Sequence, residues 1–309
     1  MKANLVCKGG GIKGIALVGA ISKLEEQGYE WENIAGTSAG AIVASLLAVG
    51  YNSIEIKEIL YKLDYTKFKD RNKIQSIPLI GEFLGLLTYK GIHAGDFIEL
   101  FLAEKFKAIG KTKFKDISVN GKSKLKIIAS DVSRKELLIL PDDLTYYGID
   151  PMEFEISKAI RMSLSLPFFF NPVKLNYKNK ASYIVDGGLL SNFPIWIFDN
   201  HECPDYPTFG LNLLDDKKVD SSNHSSTIKY ILDVIQTSIY TNEDVYFKEM
   251  DTARIIRIPT LGISTTNFNL TDKELDALFQ SGYRSAKLFL QDWNFDRFIN
   301  NYWDKKGSY

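Results

Sequence analysis

Residues 34–50 read Ile-Ala-Gly-Thr-Ser-Ala-Gly-Ala-Ile-Val-Ala-Ser-Leu-Leu-Ala-Val-Gly. Ile34-Ala35 is a brief apolar strand. Ala41 to Val49 is an apolar run as long as a buried core helix, and Gly50 closes it. Between them Gly36-Thr37-Ser38-Ala39-Gly40 matches GxSxG. A serine on such a strand–turn–helix corner projects its hydroxyl from a strained backbone at a helix N-terminus. The small residues two before and two after it let strand and helix approach closely. The pattern arises by chance only about 0.1 times in a chain of this size. Asn33 to Ile54 carries no charge and could span a bilayer, with Gly36 and Gly40 as a GxxxG pair. Its strongly apolar part is only Ala41–Val49, and its flank reads as a turn, so a buried helix is expected instead.

Upstream, the short apolar run Leu5 to Cys7 leads into Gly9-Gly10-Gly11-Ile12-Lys13-Gly14 and then a helix, Ile12 to Gln27. Ile15, Leu17, Val18, Ile21 and Leu24 share its apolar face, and Gly28 ends it. Gly9-x-Gly11-x-x-Gly14 fits a dinucleotide fingerprint, but that needs an acid ending the next strand, and Glu30 and Glu32 precede that strand. The alternative is an oxyanion hole, in which successive glycine N–H groups at a helix N-terminus face a developing negative oxygen.

Downstream, helices are predicted over Ile54–Leu63, Asp96–Phe106, Ile228–Tyr240 and from the Thr271–Glu274 capping box to about Trp293. Pro151 suits the first position of a helix running towards Ser163, with Asp150 as its cap. Strands are predicted over Leu125–Ala129, Glu136–Leu140, Tyr183–Val185, Phe209–Leu214 and Arg254–Ile258. Strands alternating with helices give an α/β layered architecture. No linker divides the chain, so residues 1–309 are expected to form a single domain. Ile74 to Tyr89 is apolar with one charge, Glu82, and Pro78, Gly81 and Gly85 speak against one rigid helix there. It reads either as a buried connection or as an apolar flap that contacts lipid.

Composition excludes several classes. The 309 residues are 45% hydrophobic and 25% charged, as in globular proteins. Net charge is zero, so no global basic field for nucleic acid exists. Two cysteines, Cys7 and Cys203, make no disulfide scaffold, and three histidines without i, i+4 spacing make no metal centre. No metal and no cofactor are expected. Leu5–Cys7 is too short for a signal-peptide core, which predicts a cytoplasmic protein, or one peripheral at a membrane.

Ser38 needs a base. His201 and His224 follow it but lie in polar loop sequence. Asp186 ends the apolar strand Tyr183-Ile184-Val185, ahead of Gly187 and Gly188, and is the better candidate. Asp131 ends Ile127-Ile128-Ala129 similarly and is the second choice; its other reading is a turn aspartate.

Together, GGGIKG at 9–14, GTSAG at 36–40 and DGG at 186–188 resemble the patatin-like phospholipase family. Ala159–Ser163 through Pro167 and Phe168–Pro172 resemble the family's segment upstream of DGG. The likeness covers roughly residues 4–215, with 216–309 completing the α/β domain. It implies a three-layer α/β/α sandwich with a mostly parallel central sheet. It implies a calcium-independent lipid acyl hydrolase with a serine–aspartate dyad, Ser38 as nucleophile and Asp186 as proton acceptor. Main-chain N–H groups of the loop from Gly9 through Gly10, Gly11, Ile12 and Lys13 to Gly14 would hold the oxyanion. Lys13 stands where many members have arginine. The implied partners are a phospholipid, lysophospholipid or other acyl-ester lipid and a transient membrane surface; acyl transfer, or lipid binding without catalysis, are the alternatives. Ester hydrolysis is therefore expected to run at the same rate with and without EDTA, and a strict calcium requirement in that assay would contradict the reading.

Overall fold

The computed structural model describes residues 1–78, 80–200, 202–214, 227–239, 247–265 and 267–303. Its elements are β1 (Lys2–Cys7), α1 (Gly14–Glu26), β2 (Glu30–Thr37), α2 (Ala39–Val49), α3 (Ser53–Tyr61), α4 (Gly81–Tyr89), β3 (Gly91–His93) and α5 (Asp96–Ile109). There follow β4 (Ser118–Val119), β5 (Lys122–Ser123), β6 (Leu125–Asp131), β7 (Glu136–Leu140), α6 (Ile156–Ser163), β8 (Phe168–Phe170), β9 (Val173–Tyr177) and β10 (Lys180–Asp186). The last are β11 (Thr208–Leu214), α7 (Thr227–Ile239), α8 (Glu249–Ala253), β12 (Ile255–Pro259), α9 (Asp272–Asp292) and α10 (Phe295–Phe298).

The central sheet runs β12-β11-β1-β2-β6 with every neighbour parallel, so the expected α/β sandwich with a mostly parallel sheet is present. Strand residues alternate between two cores. Leu5, Cys7, Ile34 and Ile256 face the larger one, which also takes α1, α2 and α9. Val6, Ala35 and Ile255 face a smaller one closed by Phe193 and Ile195. Every residue of α2 is buried, as an all-round apolar helix must be.

The end of β6 organises the site. β7 takes one of its edges across Ile127–Asp131. On the other edge β2 pairs with Leu125–Ile128 in parallel, while β10 pairs with Ala129–Asp131 antiparallel. A strand has only two edges, so β2 and β10 lie end to end along the same one. They run towards each other and stop at adjacent registers, Thr37 opposite Ile128 and Asp186 opposite Ala129.

Several expectations are corrected. β2 begins at Glu30 rather than Ile34, because its first residues pair with Lys2 and Ala3. Glu30 and Glu32 thus open that strand. The helix expected from Pro151 begins only at Ile156. The carbonyls of Met152 and Phe154 instead accept the N–H groups of Lys115 and Phe114, and the Asp150 side chain accepts the Met152 N–H in a turn. As expected, 74–89 is not one helix: residues 74–78 are not helical and α4 begins only at Gly81. Gly81 and Gly85 let α4 lie against Gln75, whose Cγ and backbone O fall 2.8 and 2.4 Å from Cβ atoms built at Gly85 and Gly81 respectively. Among the described residues, no helix is long and apolar enough to cross a membrane.

α1 crosses α9 at Gly19 and Gly282, where an added Cβ would lie 1.9 Å from Phe279 O and 1.8 Å from Ala16 O. Gly282→Ala is expected to destabilise the protein by about 1–3 kcal/mol through overpacking. Urea unfolding checks this, and an unchanged midpoint would show that the helices separate freely.

Candidate active site

Ser38 sits between β2 and α2 with φ 53 and ψ −124. A non-glycine residue at this positive φ is strained, and the surroundings must hold it. They do so through the two glycines. A Cβ on Gly36 would meet Gly40 O at 2.4 Å, and one on Gly40 would meet Cys7 O at 2.3 Å, so strand, turn and helix close on β1 only without side chains. The Ser38 N–H donates to Ser163 Oγ (2.8 Å), which itself donates to Ile128 O (2.5 Å). Ser163 therefore fills the hydrogen-bonding gap where β2 ends on β6.

Ser38 Oγ donates to Asp186 Oδ2 at 2.7 Å. The other carboxylate oxygen, Oδ1, accepts the Gly188 N–H at 2.8 Å, and the Asp186 N–H donates to Ser165 O at 2.9 Å. A Cβ on Gly187 would strike Ile128 O at 2.3 Å, so the turn after β10 can sit against Ile128 of β6 only as glycine. Burial pushes the Asp186 carboxyl from an ordinary 3.8 up to about 6, against the smaller opposing pull of the hydrogen bonds from Ser38 and Gly188.

The glycine loop lies beside this pair. A Cβ on Gly9 would lie 3.2 Å from Ser38 Cβ. Three of the loop's N–H groups are occupied: Gly9 donates to Asn192 O, Ile12 to Thr265 O and Lys13 to Gly10 O. Those of Gly10 and Gly11 have no protein acceptor among the described residues. Gly11 has φ +57, and Gly11, Ile12 and Gly14 border the cleft that holds Ser38 and Asp186. The Lys13 side chain is buried, 1% exposed.

That cleft is apolar. Ile42, Leu60, Leu63, Phe68, Phe169 and Phe268 are among its walls. Phe268 stacks on Phe169 (centroids 5.7 Å apart) and lies 6.0 Å from Phe68. Its free volume is about 60 Å³, well short of the roughly 300–1,000 Å³ that encloses a whole small molecule. His93 lies behind this wall, its ring 4.7 Å from Phe169, and burial, with Arg71 adding to it, drives its pKa down to about 4.

The second-choice acid is occupied elsewhere. Asp131 Oδ1 accepts the N–H groups of Ser133 and Arg134, and Oδ2 accepts the Tyr147 hydroxyl at 2.6 Å, which is the turn role. Asp186 is the last residue of β10, as expected from sequence, and β10 runs antiparallel to β6. His201 and His224 lie outside the described residues. Among the described residues, no group of three or more His, Cys, Asp or Glu is placed to hold a metal ion. Sequence reasoning left out Asn192, which receives Gly9, and gave no role to Ser163. Ser163 stands in the block already singled out before DGG, whereas Asn192 carries no local signal.

The model of a family described as patatin-like phospholipase matches residues 5–199. The chain is 36% identical to the uncharacterized protein YqhO of Bacillus subtilis over 94% of this chain and 98% of that one. It is 28% identical to the probable lipid hydrolase 463L of Invertebrate iridescent virus 6, over 62% and 61%. Among solved structures, VipD from Legionella pneumophila superposes with a TM-score of 0.56 at 19% identity, a likeness of fold. That match takes in 94% of this chain but 66% of VipD.

The raised pKa of Asp186 links stability to pH. The folded carboxyl keeps its proton up to about pH 6 while the unfolded one loses it near 3.8, so stability falls as pH rises through that window. Asp186→Asn removes this linkage. The stability of the variant relative to wild type is expected to grow by on the order of 2 kcal/mol between about pH 4 and about pH 7.5. Denaturant midpoints at the two pH values check it, and a constant difference would mean that Asp186 ionises normally.

Proposed function

The chain belongs to the patatin-like phospholipase family, and from that premise we propose that it is a lipid acyl hydrolase cleaving carboxylic esters of phospholipids or lysophospholipids through an acyl-serine. The observation that carries the reading is the 2.7 Å hydrogen bond from Ser38 Oγ to a buried carboxylate, made at the edge of an apolar cleft.

Ser38 Oγ attacks the acyl carbonyl carbon as its proton passes to Asp186 Oδ2. The carbonyl oxygen becomes the oxyanion and takes the N–H groups of Gly10 and Gly11, which point from a helix N-terminus. The tetrahedral centre collapses, the carbon–oxygen bond to the leaving alcohol breaks, and Asp186 returns the proton to that alcohol. Water then attacks the acyl-serine, again giving its proton to Asp186, which hands it to Ser38 as the fatty acid leaves. A carboxylate with its pKa near 6 suits both steps better than an ordinary one, because a base is most effective when its pKa lies close to working pH. The acyl chain lies against Leu60, Phe68, Phe169 and Phe268, whose walls part to admit it. No step requires a metal.

Ser38→Ala and Asp186→Asn are each expected to lower turnover of a short-chain ester by about 10³-fold or more while the protein stays folded. Wild-type turnover should rise with pH to a plateau with an apparent pKa near 6. Asp131→Asn should cost stability through Tyr147 but retain most activity. A fluorophosphonate that labels wild type but not Ser38→Ala would identify the nucleophile. Undiminished turnover in folded Ser38→Ala would end the proposal.

A further inference from the structure

The cleft walls at Tyr65, Phe68, Phe169 and Phe170 belong to segments that continue outward into one exposed face. β3 pairs with β8, setting Gly91 beside Phe168. Gln75 ties the loop before α4 to both, donating to Gly91 O (2.8 Å) and Asn171 Oδ1 (2.9 Å). On this frame α4 turns its largest apolar side chains outward. Ile80, Phe83 and Leu87 are 53%, 59% and 65% exposed, and their spacing of three and four places them on one side of the helix. Phe168, 44% exposed, adds to it from β8. The apolar segment read from the sequence thus exposes one side of its helix and is not buried throughout.

The segments that form this face are one-sided in charge. Residues 65–93 and 173–183 carry eight lysine or arginine side chains against two acids, Asp70 and Glu82, in a chain of zero net charge. All eight are exposed. Both acids are engaged: Asp70 accepts the N–H groups of Gly95, Asp96 and Phe97 at the start of α5, and Glu82 pairs with Arg71 at 2.5 Å. Lys90, at the end of α4, and Lys174, on β9, both lie over the Tyr183 ring, at 5.2 and 5.9 Å. They join the two basic segments into one surface.

We propose that this face is a docking surface for anionic phospholipid bilayers, with Phe83 and Leu87 entering the interface and the surrounding basic residues, Lys90 and Lys174 among them, meeting the headgroups. The zero net charge alone suggests purely apolar attachment; the local arrangement makes it charge-selective instead. Each basic residue held near an anionic surface strengthens binding about fivefold. The inference deepens the lipid-hydrolase reading, because exposed Phe168 of that face immediately precedes Phe169 and Phe170 of the cleft wall.

Vesicles of ether-linked phosphatidylcholine, alone or with an equal part of ether-linked phosphatidylglycerol, contain no ester to cleave, so flotation of the full chain reads binding apart from turnover. The phosphatidylglycerol vesicles are expected to bind at least about tenfold tighter at ionic strength near 0.1 M, and to lose that advantage near 1 M. Lys90→Glu with Lys174→Glu should reduce their binding to the phosphatidylcholine level, with melting temperature and soluble-ester turnover unchanged. Phe83→Ser with Leu87→Ser should weaken binding to both vesicles. Lys122→Glu, beyond the opposite end of β6, should change nothing. Equal binding to the two vesicle types would overturn the proposal, as would indifference to the paired charge reversal. So would a face that only joins two copies of the chain, seen as a dimer split by Phe83→Ser with Leu87→Ser and no flotation. Selective flotation by a protein that hydrolyses no ester would refute the hydrolase reading and leave docking intact.

Discussion

Two strands meeting head to head on one edge of β6 is the constraint on which the site depends. β2 delivers Ser38 from below and β10 delivers Asp186 from above, each stopping one register short of the other. Continuing either strand would fill the space with backbone and remove the turn that carries Ser38 or Asp186. The ladder is interrupted there, and the interruption leaves polar groups that need partners. Ser163 supplies one by bridging the Ser38 N–H to Ile128 O. Glycine at 187 lets the second turn pass over the junction. The 2.7 Å contact between Ser38 and Asp186 is the product of this register.

The same junction carries energetic costs that structure elsewhere must offset. Ser38 holds a positive φ, a strain of order 1–3 kcal/mol. Asp186 is buried with no basic partner among the described residues and is charged only at a penalty, which appears as its raised pKa. Both are tolerated because α2 and the ends of β1, β2 and β6 are packed in the larger core, where the backbone cannot relax. Strain and desolvation so held in place are what the proposed roles of Ser38 as nucleophile and Asp186 as base would draw on.

Legibility from sequence followed the locality of the signal. α2, its closing Gly50 and the capping box of α9 were readable because periodicity and caps act within a few residues. The helix expected from Pro151 failed because long-range bonds to residues 114 and 115 claimed its carbonyls. Gly81 and Gly85 also serve contact with Gln75, a packing requirement that composition does not display. The ambiguity of the 74–89 segment was real at the sequence level, since burial is a property of what surrounds a segment.

The sequence by itself picked out the candidate residues: a GxSxG corner, a glycine loop and an aspartate ahead of two glycines, each a short pattern with its own backbone mechanism. It could rank Asp186 above Asp131 but could not say why. Tertiary structure decided that, by turning β10 antiparallel so that Asp186 stops at Ser38, while Asp131 is spent on its own turn and Tyr147. It also left the Gly10 and Gly11 N–H groups without a protein acceptor among the described residues and turned the apolar side of α4 outward among lysines. Local patterns fix what a backbone can do, whereas pairing register and exposure depend on residues far apart in the chain, and only the folded packing brings those together.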